Sequence, residues 1–136
     1  KTQKALKECE EKTSKGDKLT LILALSYSSK WEIVEATKKI IKDVQEGKIK
    51  VEDINETLFS DYLATKGIPD PDLVIRTGGE QRMSNFLLWQ SAYTEFYFTD
   101  TFWPAFREED LYAAIIDYQR RERRFGKISE QIESEK

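Results

Sequence analysis

A chain of 136 residues, 39% hydrophobic and 35% charged, has the length and composition of one domain or one large piece of a domain. Twenty-two basic and 25 acidic residues leave a net charge of −3, which argues against a dedicated nucleic-acid binder. No apolar run approaches the roughly 20 residues of a membrane span, a signal-peptide pattern is absent, and the single Cys9 excludes an internal disulfide and fits a reducing, cytoplasmic compartment. The sequence contains no His, so any metal is expected to be a hard cation on oxygen ligands, such as Mg²⁺.

In chain order, residues 3–15 read as a polar, Lys/Glu-laced helix that ends in a Gly16-Asp17 turn. Leu19 to Leu25 is uniformly apolar and reads as a buried strand. Ser29-Lys30-Trp31-Glu32 has the Ser-x-x-Glu form of a capping box. The helix behind it carries Ile33, Val34, Thr37, Ile40, Ile41 and Val44 at helical spacing, with Gly47 at its stop. A second helix is expected from Asn55, with Leu58, Phe59, Tyr62 and Leu63 on one face, ended by Gly67 and the Pro69/Pro71 pair. Leu73-Val74-Ile75 is the next buried strand, and Glu95 to Thr99 a further, aromatic one. Pro104 precedes a last helix, acidic in its first turn (Glu108, Glu109, Asp110) and basic at its end (Arg120, Arg121, Arg123, Arg124), as the helix dipole favours. The order predicts an α/β fold: a mostly parallel sheet flanked by helices over residues 1–128, then a polar tail at 129–136. Three strands make too small a parallel sheet to cover its own faces, which predicts that an N-terminal part of the domain lies outside these residues.

The run from Asp72 to Asp100 carries the chemistry. Arg76, Gly78-Gly79, Glu80, Arg82 and Ser84 follow the strand Leu73-Val74-Ile75, where α/β sheets bind ligands. Two readings stand. In one, glycine N–H groups, arginine forks and a hydroxyl form an anion cradle. In the other, the arginines are surface residues paired with Glu80 or Asp72. The aromatic stretch that includes Phe86, Trp89, Tyr93, Phe96, Phe98, Phe102 and Trp103 reads as core or as the lining of an apolar channel. Glu95 reads as a Mg²⁺ ligand or as a solvated residue opening an edge strand. Tyr27 to Trp31 either lines the same crevice or caps a helix and packs a Trp.

Taken together these motifs resemble the cis-prenyltransferases, most closely the C-terminal part of bacterial undecaprenyl diphosphate synthases. The matching residues are Asp72-Leu-Val-Ile-Arg-Thr-Gly-Gly-Glu80, Arg82, Ser84, Asn85-Phe-Leu-Leu-Trp-Gln90, Tyr93, Glu95, Phe98-Thr-Asp100, Trp103-Pro104 and Arg121-Glu-Arg-Arg-Phe-Gly126. The resemblance implies a single undecaprenyl-diphosphate-synthase-like α/β domain, of which this is the C-terminal portion. It implies condensation of isopentenyl diphosphate onto an allylic diphosphate, farnesyl diphosphate being the expected starter. The product would be a long-chain polyprenyl diphosphate for a cell-wall lipid carrier. Arg76, Arg82 and Ser84 would bind the isopentenyl diphosphate. Arg124 and Gly126 would reach the partner subunit's site in a homodimer, and Glu95 would bind Mg²⁺. A cytoplasmic enzyme, with peripheral membrane contact for its lipid product and no nucleic-acid partner, follows from the same likeness.

The sequence also departs from the family. Ser26-Tyr-Ser-Ser-Lys30 stands where members often carry Asn-Tyr-Gly-Gly-Arg, and Gln81 where some carry His. The family's Asp-Gly-Asn-Gly-Arg segment, bearing the main catalytic aspartate, is not among these residues, so prenyl transfer by residues 1–136 alone is not expected. The alternative is a non-catalytic partner subunit of a heteromeric cis-prenyltransferase, although such subunits usually lose the arginine and serine positions that are kept here.

Overall fold

The computed structural model describes residues 2–122. Four α-helices and two β-strands follow one another: α1 (Thr2–Thr13), α2 (Ser29–Gln45), α3 (Glu56–Asp61), β1 (Leu73–Arg76), β2 (Glu95–Phe98) and α4 (Glu108–Gln119). Short 3₁₀ turns at Val51–Asp53 and Trp103–Ala105 join them.

The two strands pair in parallel, with Leu73 opposite Glu95 and Arg76 opposite Phe98. Parallel neighbours need a long crossover. Here residues 77–94 form it without a helix, as a series of turns. The register puts Arg76 at the carboxyl end of the pair and Glu95 at the amino end.

The start of α3 and the stop of α2 follow the sequence signals, whereas α3 ends at Asp61, short of the Gly67 and Pro69/Pro71 expected to end it, and α4 at Gln119, before the arginines expected in its last turn. Asn55 Oδ1 accepts from Leu58 N at 2.9 Å and so caps α3. Gly47 has φ +70° and closes α2: its N–H donates to the Val44 carbonyl at 3.0 Å, and Lys48 N–H to that of Asp43 at 2.9 Å. The start of α2 differs by one residue from the Ser29 capping box. Ser28 is the N-cap, its Oγ accepting from Trp31 N. Ser29 and Glu32 are thereby released, and both turn inward instead of capping: they are buried at 0% and 3% exposure.

Leu19 to Leu25 is not a strand. The segment is irregular, and Leu19, Leu21, Ile22, Leu23 and Leu25 are all exposed. An apolar strand of a parallel sheet needs a ladder partner on each side, and the only ladder among the described residues is β1–β2. Trp31, read from sequence as a packing residue, is also exposed, as are Tyr93, Phe102 and Trp103 of the aromatic stretch. Buried apolar packing centres on Ala36 and Ile40 of α2, Leu63 after α3 and Ala114 of α4.

Candidate functional site

At the carboxyl end of β1 the chain leaves Arg76 and turns through Gly78 and Gly79, at φ +86° and +76°. A side chain on Gly79 would place its Cβ 3.0 Å from Asp100 Oδ1, so besides the left-handed backbone any larger residue there needs the Asp100 carboxylate to give way. The N–H groups of both glycines are spent within the fold. Gly78 N donates to the Thr101 carbonyl and Gly79 N to that of Thr99, each at 3.0 Å. The glycine pair therefore fastens the turn to the end of β2, and its N–H groups do not take the part in an anion cradle that one of the two sequence readings gave them.

What remains at the strand end is a side-chain site. Arg76 Nη1 donates to Ser84 Oγ at 2.9 Å and to the carbonyl of Arg82. Its Nη2 and Nε make no hydrogen bond among the described residues and stay available to oxygens of an anion. Arg82 is exposed and forms an ion pair with Glu80. The structure thus brings Arg76, Arg82 and Ser84 to one place. They line a cleft of ≈ 350 Å³, together with apolar side chains that include Val74, Met83, Phe86, Phe96 and Phe98. Cations and a hydroxyl at one part of an apolar cleft suit an amphiphile with a short hydrocarbon body and an anionic head.

The loop that carries Ser84 is bound to the start of α2. Ser84, Asn85 and Leu87 have φ of +50°, +61° and +47°. Ser29 N donates to the Asn85 carbonyl at 3.0 Å, Lys30 N to Asn85 Oδ1 at 2.8 Å, and Leu88 N to Ser29 Oγ at 2.9 Å. The Tyr27 and Phe86 rings meet edge-to-face at 5.6 Å. Residues 27–30 accordingly cap the helix and border the site loop at once. This contact is one that sequence reading approached only as a choice between the two roles.

Glu95 lies elsewhere. It starts β2, about 10 Å along the strands from Arg76 by their spacing. Its Oε2 accepts from Arg121 Nη1 at 2.7 Å, and Arg121 also donates through Nε and Nη2 to Asp117 Oδ2. Glu95 first, then Asp117, raise the guanidinium above its ordinary range. Among the described residues no group of three or more His, Cys, Asp or Glu side chains is placed to hold a metal. Glu95 offers one hard-oxygen donor. Arg124 and Gly126 lie outside the described residues.

One residue that supports the site loop was not singled out from the sequence for a role of its own. Glu32, buried at the first turn of α2, accepts from Tyr27 Oη and Gln90 Nε2 at Oε1 and from Ala64 N at Oε2. It ties α2 to the turn after α3 and to the end of the site loop. Its place one turn into an amphipathic helix, on the side of Ala36 and Ile40, was the available signal.

Comparison with known proteins matches residues 1–126 to a family described as putative undecaprenyl diphosphate synthase. An isoprenyl transferase of Porphyromonas gingivalis is 61% identical over 114 residues, 84% of this chain and 45% of that protein. One from Clostridium perfringens is 56% identical over 126 residues, 93% of this chain and 50% of that protein. The chain spans about half the length of the curated relatives it matches. Among solved structures, a lavandulyl diphosphate synthase from Lavandula x intermedia, in complex with dimethylallyl diphosphate, superimposes with a TM-score of 0.86 at 42% identity, over 92% of this chain and 54% of the other. A probable undecaprenyl diphosphate synthase from Campylobacter jejuni does so with a TM-score of 0.73 at 36% identity, over 93% and 56%.

Proposed function

We propose that this chain, which belongs to the undecaprenyl diphosphate synthase family of isoprenyl transferases, carries the isopentenyl diphosphate half-site of a cis-prenyltransferase. The observation that carries the reading is the cleft at the end of β1, where Arg76 is bonded to Ser84 beside Arg82 and apolar side chains adjoin them. In this reading the diphosphate meets the guanidinium nitrogens and the hydroxyl, and the five-carbon body lies on Val74, Phe96 and Phe98. Arg82 exchanges its exposed pair with Glu80 for the substrate, an exchange that costs little because such a pair contributes about 0–1 kcal/mol. Retention of the arginines and the serine favours this reading over a non-catalytic partner subunit.

The protein's part in the reaction is positioning and charge stabilisation. Condensation releases diphosphate from an allylic starter, with farnesyl diphosphate our choice of starter and a long-chain polyprenyl diphosphate, undecaprenyl diphosphate, our choice of product. Arg76 and Arg82 hold the second substrate with its double bond directed at the starter, so that the entropy of encounter is met at binding. Mg²⁺ suits a lone carboxylate, because it takes one or two such ligands and keeps several waters. Glu95 would hold it in exchange for Arg121, in a homodimer whose second subunit completes the site. The bound ion would supply charge neutralisation at the departing diphosphate. Arg124 and Gly126 are proposed to reach across that dimer. A cytoplasmic enzyme that touches the membrane surface through its lipid product fits the absence, among the described residues, of any helix long and apolar enough to cross a membrane.

The test is steady-state kinetics of the full-length enzyme. Arg76→Lys loses the bidentate fork and Arg82→Ala one charged donor. Each is expected to weaken isopentenyl diphosphate binding by about 1.5–3 kcal/mol, seen as a raised KM for that substrate. Unchanged KM and kcat in both variants would refute the assignment.

A further inference from the structure

The four N–H groups that open a helix have no partner within it. In α2 one of these is met locally, Trp31 N donating to Ser28 Oγ, while Glu32 N makes the first i→i−4 bond of the helix, to the Ser28 carbonyl at 3.0 Å. Two more, those of Ser29 and Lys30, are met from a loop more than fifty residues away, and by a single residue. Asn85 accepts from Ser29 N with its carbonyl and from Lys30 N with its side-chain oxygen. Its amide Nδ2 donates back to Ser28 Oγ at 2.8 Å. Both of its acceptors face the helix at a φ of +61°, a conformation that Asn tolerates better than most residues. Ser84, immediately before it, is also left-handed, at φ +50°, and holds its Oγ 2.9 Å from Arg76 Nη1. Two consecutive non-glycine residues in that region are unfavourable by themselves. They persist where the surroundings over-determine them, and the clamp on α2 is that surrounding.

We infer that Asn85 is a positioning residue for isopentenyl diphosphate. By seating its loop on the amino end of α2 it fixes the Ser84 hydroxyl beside Arg76 and so presets the diphosphate site. The inference deepens the isopentenyl diphosphate reading and rests on it. Asn85 acts through Ser84 and Arg76 and needs no contact with substrate.

The experiment is kinetics on the full-length enzyme carrying Asn85→Gly, Ser28→Ala, Ser84→Ala or the Ser84→Ala/Asn85→Gly pair. Asn85→Gly removes the amide while leaving the left-handed backbone easy, so it isolates the clamp from backbone strain. It is expected to raise KM for isopentenyl diphosphate about tenfold, with the KM for the allylic substrate unchanged and kcat changed less. Ser28→Ala, which takes away the acceptor of Nδ2 together with the N-cap bond from Trp31 N but leaves both acceptors of Asn85 in place, is expected to raise the same KM by less. The double variant is expected to be less than additive, because both changes act on one hydroxyl. Wild-type KM for isopentenyl diphosphate in Asn85→Gly overturns the inference, as does an equal rise in both substrates' KM, which would mark general loosening. Should Asn85→Gly not fold, an unchanged KM in Ser28→Ala overturns it. If Ser84→Ala itself leaves that KM unchanged, the isopentenyl diphosphate reading fails and takes this inference with it. If Ser84→Ala raises it and Asn85→Gly does not, this inference alone fails.

Discussion

Glu32 shows how much one side chain can hold in place. Its carboxyl group is almost wholly buried, has no cation among the described residues hydrogen-bonded to it, and is satisfied by a phenol, an amide and a backbone N–H. Removing it leaves three donors facing an empty space. Glu32→Ala is therefore expected to destabilise the chain by about 2–4 kcal/mol, measured as a lower urea midpoint. Glu32→Gln is expected to recover less than half of that loss, because its NH₂ must face Tyr27 and Gln90 or else Ala64 N, all of them donors to the carboxylate. The same contact has a pH signature. Burial first, then the hydrogen bond to Glu32, pushes the Tyr27 hydroxyl above its ordinary value of 10.0. A group raised in the folded state binds its proton there after the unfolded chain has lost it. Its contribution is thus complete below pH 10 and disappears as pH rises through the folded value. Urea midpoints between about pH 9 and 11 should fall more steeply for the wild type than for Tyr27→Phe.

At the scale of elements, glycines at two turns separate backbone strain from steric crowding. Gly47, after α2, has φ +70° and open space where a Cβ would go. Gly79, after β1, has φ +76° and Asp100 Oδ1 at 3.0 Å. Gly47→Ala is expected to cost about 1 kcal/mol, from the left-handed backbone alone. Gly79→Ala is expected to cost about 1 kcal/mol more, because Asp100 must move and the bonds from Gly78 and Gly79 to Thr101 and Thr99 move with it. Equal urea midpoints for the two variants would show that Asp100 gives way freely. Gly47 was legible in the sequence because its neighbours carry a plain helical period. The strands Leu73–Arg76 and Glu95–Phe98, the Asn55 cap and the convergence of Arg76 with Ser84 were legible for similar reasons: short range, strong pattern, one turn between them. The shift of the α2 cap from Ser29 to Ser28 was not. What decides it is Asn85, and Leu88 N drawing Ser29 Oγ inward, and no local pattern reports a partner more than fifty residues away. The role of the glycine N–H groups stays open in the sequence for the same reason, since their acceptors, Thr99 and Thr101, lie just past the far end of β2.

For the molecule as a whole, the segment Leu19–Leu25 sets composition against placement. It has the uniform apolar character of a strand covered on both faces, yet Leu19 is 86% and Leu21 78% exposed. Water-facing leucines contribute almost nothing to folding, whereas the same side chains buried in a sheet each stabilise it by kilocalories. The difference is measurable by making one pair of substitutions in two contexts. In residues 1–136 alone, Leu21→Ser with Leu23→Ser is expected to change stability by less than about 0.5 kcal/mol per site, since neither side chain loses a packed environment. It should also reduce the binding of a dye that reports exposed apolar surface, because the wild-type run is a contiguous patch. In the full-length enzyme, where we propose that this run takes its place between neighbouring strands, the same pair is expected to cost about 2–5 kcal/mol per site, the range for emptying a buried leucine position. Urea midpoints of the two pairs of proteins decide the matter. A large loss in residues 1–136 alone would mean that the segment is already packed there. A negligible loss in the full-length enzyme would mean that Leu19–Leu25 stays outside the sheet, and that its apolar face serves something other than the core.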